Sequence, residues 1–123
     1  MLQDMLSDVK EKLMSSSIIN EKRIDALVEN MEYWKSEADI YPANIRSIIN
    51  SDYKTVYEVL DRIKDMGILE YRFEIYCNIC DRFLERKQLK SLNEFPKGAY
   101  CDENHALNPV DNTILIYKVV HYE

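Results

Sequence analysis

Two glycines, Gly67 and Gly98, are all that 123 residues contain. Neither a GxxxxGK[ST] phosphate loop nor a GxGxxG dinucleotide loop can be written from them, which excludes the nucleotide enzymes built on those motifs. Long apolar runs are missing as well. A bilayer-crossing helix needs about 18 consecutive apolar residues, and no stretch comes near that, so no membrane partner is expected. Asp4, Asp8 and Glu11 interrupt the only apolar stretch near the N-terminus. No secretory signal is visible there, and the expected location is cytoplasmic. Histidine is confined to His105 and His121, and no Ser-His or Cys-His pairing stands out. Carboxylate pairs such as Glu29 with Glu32, or Asp61 with Asp65, fall at the spacing of solvated helix faces. The expectation is a protein that is not an enzyme and takes no small-molecule substrate.

Positive charge is also in deficit: 16 basic residues face 22 acidic ones, for a net charge of −6. A chain that sits on phosphates usually carries the opposite sign. Residues 1–40 hold nine acids and five bases, while the rest of the chain is close to neutral. Between 81 and 97 the sign reverses locally, with Arg82, Arg86, Lys87, Lys90 and Lys97 against Asp81, Glu85 and Glu94. That stretch reads either as an ordinary solvated surface or as a local anion contact.

What is present is periodicity. Leu2, Met5, Leu6, Val9 and Leu13 recur at helical spacing, and Ser15, Ser16 and Ser17 interrupt the stripe. Leu2, Leu6, Val9 and Leu13 step by four, three and four, the seam spacing of paired helices. So short a seam must pack on the chain's own core or on a partner, and a second copy would give a two-fold homodimer. Asn20 is a suitable N-cap for a second helix carrying Ile24, Leu27, Val28, Met31 and Trp34. Pro42 suits the first turn of a third, with Ile45, Ile48 and Ile49 inward and Asn50 and Ser51 at its end. A fourth runs from Lys54 to Asp65 with Val56, Val59, Leu60 and Ile63 on one face, and Gly67 just past its end. The period then changes from 3.6 to 2 over residues 68–76, which predicts a strand, and again over Thr113 to Val120 after turn-forming Asn108-Pro109 and Asp111-Asn112. Ser91 to Phe95, closed by Pro96, reads as one helical turn.

The tight Asn50-Ser51-Asp52 connection between two helices, the second running through LDRIKDMGILE into a strand, resembles a winged helix domain over Ile24 to Tyr76. Tyr41 to Asn50 resembles the family's second helix and Tyr53 to Asp65 its third. That resemblance implies a third helix able to enter a DNA groove. Its exposed side offers Tyr53, Lys54, Tyr57, Glu58, Asp61, Arg62, Lys64 and Asp65, in which bases and acids balance, with Glu58–Arg62 and Asp61–Lys64 at pairing distance along the helix. Tyr53 and Tyr57, with Tyr41 nearby, suit a protein-facing patch equally well as ordinary half-buried packing.

The cysteines write C-x2-C-x20-C-x3-H through Cys77, Cys80, Cys101 and His105. Two short chelating pairs separated by an excursion are the usual supply of four tetrahedral ligands for Zn²⁺; with all four positions filled by protein, the metal is structural. Three alternatives remain. A disulfide is disfavoured by the odd count; a redox CxxC would open a helix over 81–89; or the thiols are simply buried and hold no metal. Residues 73–120 resemble a zinc ribbon in layout. Asp81 and Ala106 stand where ribbon knuckles often carry glycine, and alanine resists the left-handed backbone that such a glycine supplies. His121, at a strand end, reads as a surface residue.

The expected fold is therefore α+β: an N-terminal helix and winged helix-turn-helix over 1–76, then a zinc-ribbon-like β module over 77–123. The resemblance implies a small prokaryotic regulatory or defence-associated accessory protein, acting as an adaptor for a protein partner. The alternative is a DNA-binding regulator, with Tyr53, Lys54, Tyr57, Arg62 and Lys64 in the groove and Arg82, Arg86, Lys87 and Lys90 on the backbone.

Overall fold

The computed structural model describes residues 3–84 and 88–120. Leu2, Arg86, Lys87 and His121 lie outside the described residues. Among the described residues the fold is mixed α+β, with four α-helices and a small antiparallel sheet.

Helix α1 is Gln3–Ser16, and its stripe Leu6, Val9 and Leu13 is fully buried. It packs on α2 and α4, so the seam faces the chain's own core. The Ser15 and Ser16 hydroxyls donate to the carbonyls of Lys12 and Leu13 in the last turn, side-chain bonds that compete with continuing the helix. Helix α2 is Glu21–Met31; the Asn20 side chain caps it by accepting the Arg23 N–H at 3.0 Å. Trp34 lies beyond its end, buried, with the indole N–H donated to Asn30 Oδ1 at 3.0 Å. Helix α3 is Pro42–Ile49, with proline in the first turn and Asn50 left-handed at φ 48° as its stop. Helix α4 is Tyr53–Asp65, with Val56, Val59, Leu60 and Ile63 buried, and Gly67 follows at φ 83°.

The strands are β1 Asp39–Ile40, β2 Leu69–Cys77, β3 Arg82–Phe83 and β4 Thr113–Val119, in the order β1-β4-β2-β3. Strand β1, two residues long, has no readable period and is defined by its partners: Asp39 pairs with Lys118 and Ile40 with Tyr117. Lys118 Nζ reinforces it, 3.3 Å from Asp39 and 3.9 Å from Glu37. Strands β2 and β4 run antiparallel: Val120 donates to Ile68 at one end, and Tyr76 donates to Asn112 at the other. A single 3-10 turn covers Leu92–Glu94.

The chain divides into two compact units, Met1–Glu70 with Tyr117–Glu123, and Tyr71–Ile116. The first holds all four helices. Within it Tyr117 is fully buried and donates its hydroxyl to Asp61 Oδ1 at 2.7 Å, so Asp61 anchors β4 from α4 rather than standing in open solvent. The second unit has a small core of Ile75, Cys77, Leu89, Ala99, Cys101 and Leu107, with Phe73, Cys80, Leu84 and Phe95 against it.

Candidate metal centre

Two hairpin tips in the second unit bring the four spaced side chains together. In the first, β2 ends on Cys77 and the chain turns through Asn78, Ile79 and Cys80 into β3, which pairs back as Cys77 with Arg82 and Tyr76 with Phe83. The reversal needs a left-handed residue, and Asp81 supplies it at φ 57°. Asp can do so because its short polar side chain tolerates that region. The Tyr76 hydroxyl bonds the Asp81 carboxylate, and the Tyr76 ring lies 5.1 Å from that of Phe83, fixing the outside of the turn.

In the second tip, Leu107 donates to Ala99 and Cys101 donates to His105, closing a hairpin around Asp102, Glu103 and Asn104. Here the left-handed residue is Asn104, at φ 61°, and Ala106 sits opposite Tyr100 in a β-bridge. The left-handed position thus falls one residue ahead of His105 rather than on Ala106, and Asn104 absorbs the extra residue of the C-x3-H spacing without straining an alanine. Each tip also turns a backbone N–H onto its own first sulfur: Cys80 N–H to Cys77 Sγ at 3.4 Å, and His105 N–H to Cys101 Sγ at 3.3 Å.

The ligand atoms of Cys77, Cys80, Cys101 and His105 all lie within 4.8 Å of one another. Cys80 Sγ is 3.7 Å from Cys101 Sγ and 3.2 Å from His105 Nδ1; Cys101 Sγ is 3.2 Å and Cys77 Sγ 3.7 Å from the same nitrogen. A divalent ion with bonds of about 2.3 Å to sulfur has a coordination tetrahedron with edges of about 3.8 Å, a separation that these four contacts approach. The group could therefore hold a metal ion, with Nδ1 as the imidazole donor. All three cysteines are free thiols.

The Cys77 and Cys80 thiols differ in their electrostatics. Burial pushes the Cys80 thiol up to about 12, with the neighbouring sulfurs of Cys101 and Cys77 adding to the effect. Cys77 is held below the ordinary thiol range, chiefly by the backbone N–H of Cys80. A bound divalent ion overrides both by coordinating thiolate directly. A helix over 81–89, on which a redox CxxC would depend, is not formed: Arg82 and Phe83 are strand, and Leu89 bridges Phe73.

Asn112 is a structural partner of the centre whose role the sequence does not mark beyond a turn. It is 3% exposed, donates to Tyr76 O at 3.0 Å and to Asn78 Oδ1 at 3.2 Å, and accepts the Asn108 N–H at 2.9 Å. It thereby ties the 108–112 turn to the root of the first tip.

The remaining candidate contact residues fall into separate units. In the first unit Tyr53, Lys54 and Arg62 are exposed, while Tyr57 and Lys64 are half-buried. Burial raises the Tyr57 phenol above its ordinary range. The Tyr53 and Tyr57 rings lie 6.5 Å apart, and the Arg46 guanidinium sits 5.1 Å over the Tyr53 ring. Arg46 could not be singled out from sequence, because α3 and α4 meet only on folding. In the second unit Arg82 and Lys90 are exposed, with Arg82 4.0 Å from Glu103. Among the described residues no helix is long and apolar enough to cross a membrane.

Comparison with protein-family models, curated proteins and solved structures finds no match to this chain. The fold and site therefore define an α+β chain with a three-cysteine, one-histidine cluster fit for a metal ion.

Proposed function

We propose that this is a non-catalytic adaptor: a winged helix-turn-helix unit that binds a protein partner, joined to a zinc-ribbon-like module held by one structural Zn²⁺. The bacterial accessory and defence-associated setting implied by the sequence resemblance belongs to this reading. The observation that carries it is the convergence of Cys77, Cys80, Cys101 and His105, whose ligand atoms lie within 4.8 Å of one another. Four protein ligands leave no open position for a reacting water, so the ion's chemistry is to bind and fold, not to catalyse. The winged helix reading is supported by α2, β1, α3, α4, β2 and β4 following one another in that order, with β4 returning between β1 and β2. In that reading the metal-binding segment stands where a wing connects the last two strands.

The protein-binding face is assigned to Arg46, Tyr53 and Tyr57, because a stacked arginine and tyrosine pair is the composition of interface hot spots. Elemental analysis of the purified chain should give one equivalent of zinc, lost in Cys80→Ser. For the face, the protein encoded beside this one should co-purify with it, and Tyr53→Ala with Arg46→Ala should abolish co-purification while leaving zinc in place. A solitary monomer that retains no neighbour would sink the adaptor.

A second reading, a DNA-binding regulator, is favoured by the exposure of Tyr53, Lys54 and Arg62 on α4. It predicts a salt-sensitive shift of duplex DNA that is lost on Lys54→Glu with Arg62→Glu. Absence of binding at low salt removes it.

A further inference from the structure

The three sulfurs of the cluster are not equivalent. Cys77 is 1% exposed and Cys101 8%, whereas Cys80 is half-buried. Cys77 Sγ and Cys101 Sγ each accept a backbone N–H, but among the described residues no backbone N–H donates to Cys80 Sγ. A hydrogen bond to thiolate withdraws electron density from it, so the sulfur lacking one is the stronger nucleophile. The cluster also lies at the wall of a cleft of about 440 Å³, bounded by Phe83, Leu84, Tyr100 and Glu103, which gives small reagents a route to it. The Cys101 sulfur, 3.7 Å from that of Cys80, is already in contact with it.

We propose that Cys80 is a modification site: peroxides and soft electrophiles react with this cluster there first, and after peroxide Cys101 closes a disulfide onto it and the metal ion is released. This rests on the zinc reading above. With hydrogen peroxide, the Cys80 thiolate attacks one peroxide oxygen; an S–O bond forms, the O–O bond breaks and hydroxide leaves, giving a sulfenic acid. The Cys101 thiolate then attacks the Cys80 sulfur; the S–S bond forms, the S–O bond breaks and a second hydroxide leaves. Two thiolates lose two electrons, peroxide is reduced to two waters after uptake of two protons, and the ion departs as a dication with two of its ligands gone. Cys77 and His105 alone cannot retain it. Because two ligands of the set belong to the small core of the second unit, release loosens that unit.

The test uses the purified full chain, with its zinc content measured first. A sub-stoichiometric amount of iodoacetamide is added under native conditions, and the adducts are located by peptide mass spectrometry. Adducts on Cys80 should exceed those on Cys77 or Cys101 by about tenfold, the rate equivalent of one hydrogen bond to a charged group. In denaturant all three should label alike. Hydrogen peroxide should release zinc to a chromophoric chelator in step with the appearance of a Cys80–Cys101 linked peptide pair. With one equivalent of zinc present at the start, a first adduct on another cysteine, or a Cys77–Cys80 disulfide, overturns this proposal alone. Absence of zinc before treatment overturns the zinc reading and this proposal with it.

Discussion

At the scale of single residues, Asn112 shows how a polar side chain is afforded a place in so small a core. Buried at 3% exposure, it satisfies donor and acceptor alike through Tyr76, Asn78 and Asn108. Asn112→Ala strands those partners and is expected to destabilise the protein by about 2 to 3 kcal/mol, measured by denaturant titration of the metal-loaded chain. A loss within error of zero would mean that water replaces the amide. Asp52 carries a second expectation. Its carboxylate accepts the Thr55 N–H at 2.8 Å, and hydrogen bonding by the Thr55 side chain first and its backbone N–H second holds its pKa below the ordinary carboxylate value. A depressed folded-state pKa gives stability that is present above the unfolded value and lost as pH falls through the folded one. Asp52→Asn keeps the cap but cannot titrate, so its stability should vary less with pH in the acid range than the wild type's. Identical acid profiles would show that the cap does not contribute. The candidate metal ligands themselves were legible one by one, because thiol and imidazole spacing is a chemical signature. Arg46 and Asn112 were not, since their partners lie far along the chain or beyond a turn.

Among the elements, the long helices were legible from their stripes, caps and stops: Asn20, Pro42, Asn50 and Gly67 all stand where the sequence places them. Strand β1 was not, because two residues cannot show a period and only pairing with β4 makes them a strand. The fate of α1 was left open by its seam, and burial decides it: Leu6, Val9 and Leu13 are each 2% exposed or less. Leu13→Ala should therefore cost about 2 to 5 kcal/mol of intrinsic stability. Its unfolding midpoint should not change with protein concentration, as it would if the stripe held two copies together. A concentration-dependent midpoint would return α1 to a dimer interface. The second hairpin tip carries the same lesson at the level of the turn, since Asn104 rather than Ala106 takes the left-handed position.

For the molecule as a whole, the division into two units separates the α-helices from the candidate metal ligands. Among the described residues the four α-helices and Trp34, the only tryptophan, belong to the first unit; the four candidate ligands belong to the second. Removing the ion with a strong chelator should expose the three thiols to a thiol reagent while the far-UV helical signal and Trp34 fluorescence stay near their starting values. Simultaneous loss of all three signals would show that the chain unfolds as one cooperative block. An ion would matter here because, among the described residues, the core cluster of the second unit has six buried side chains, two of them candidate ligands. A core of that size supplies little apolar burial, and metal binding can replace the missing driving force.

The sequence by itself determined the helices, the two longer strands, the overall acidic charge and the four candidate ligands. Each of these follows from local periodicity, local spacing or composition. Only the tertiary structure decided that the four candidate ligand atoms reach one another, that Asp61 serves Tyr117, and that Cys80 is the least buried cysteine of the cluster. Those depend on contacts between residues far apart in the chain, and no local pattern encodes such distances.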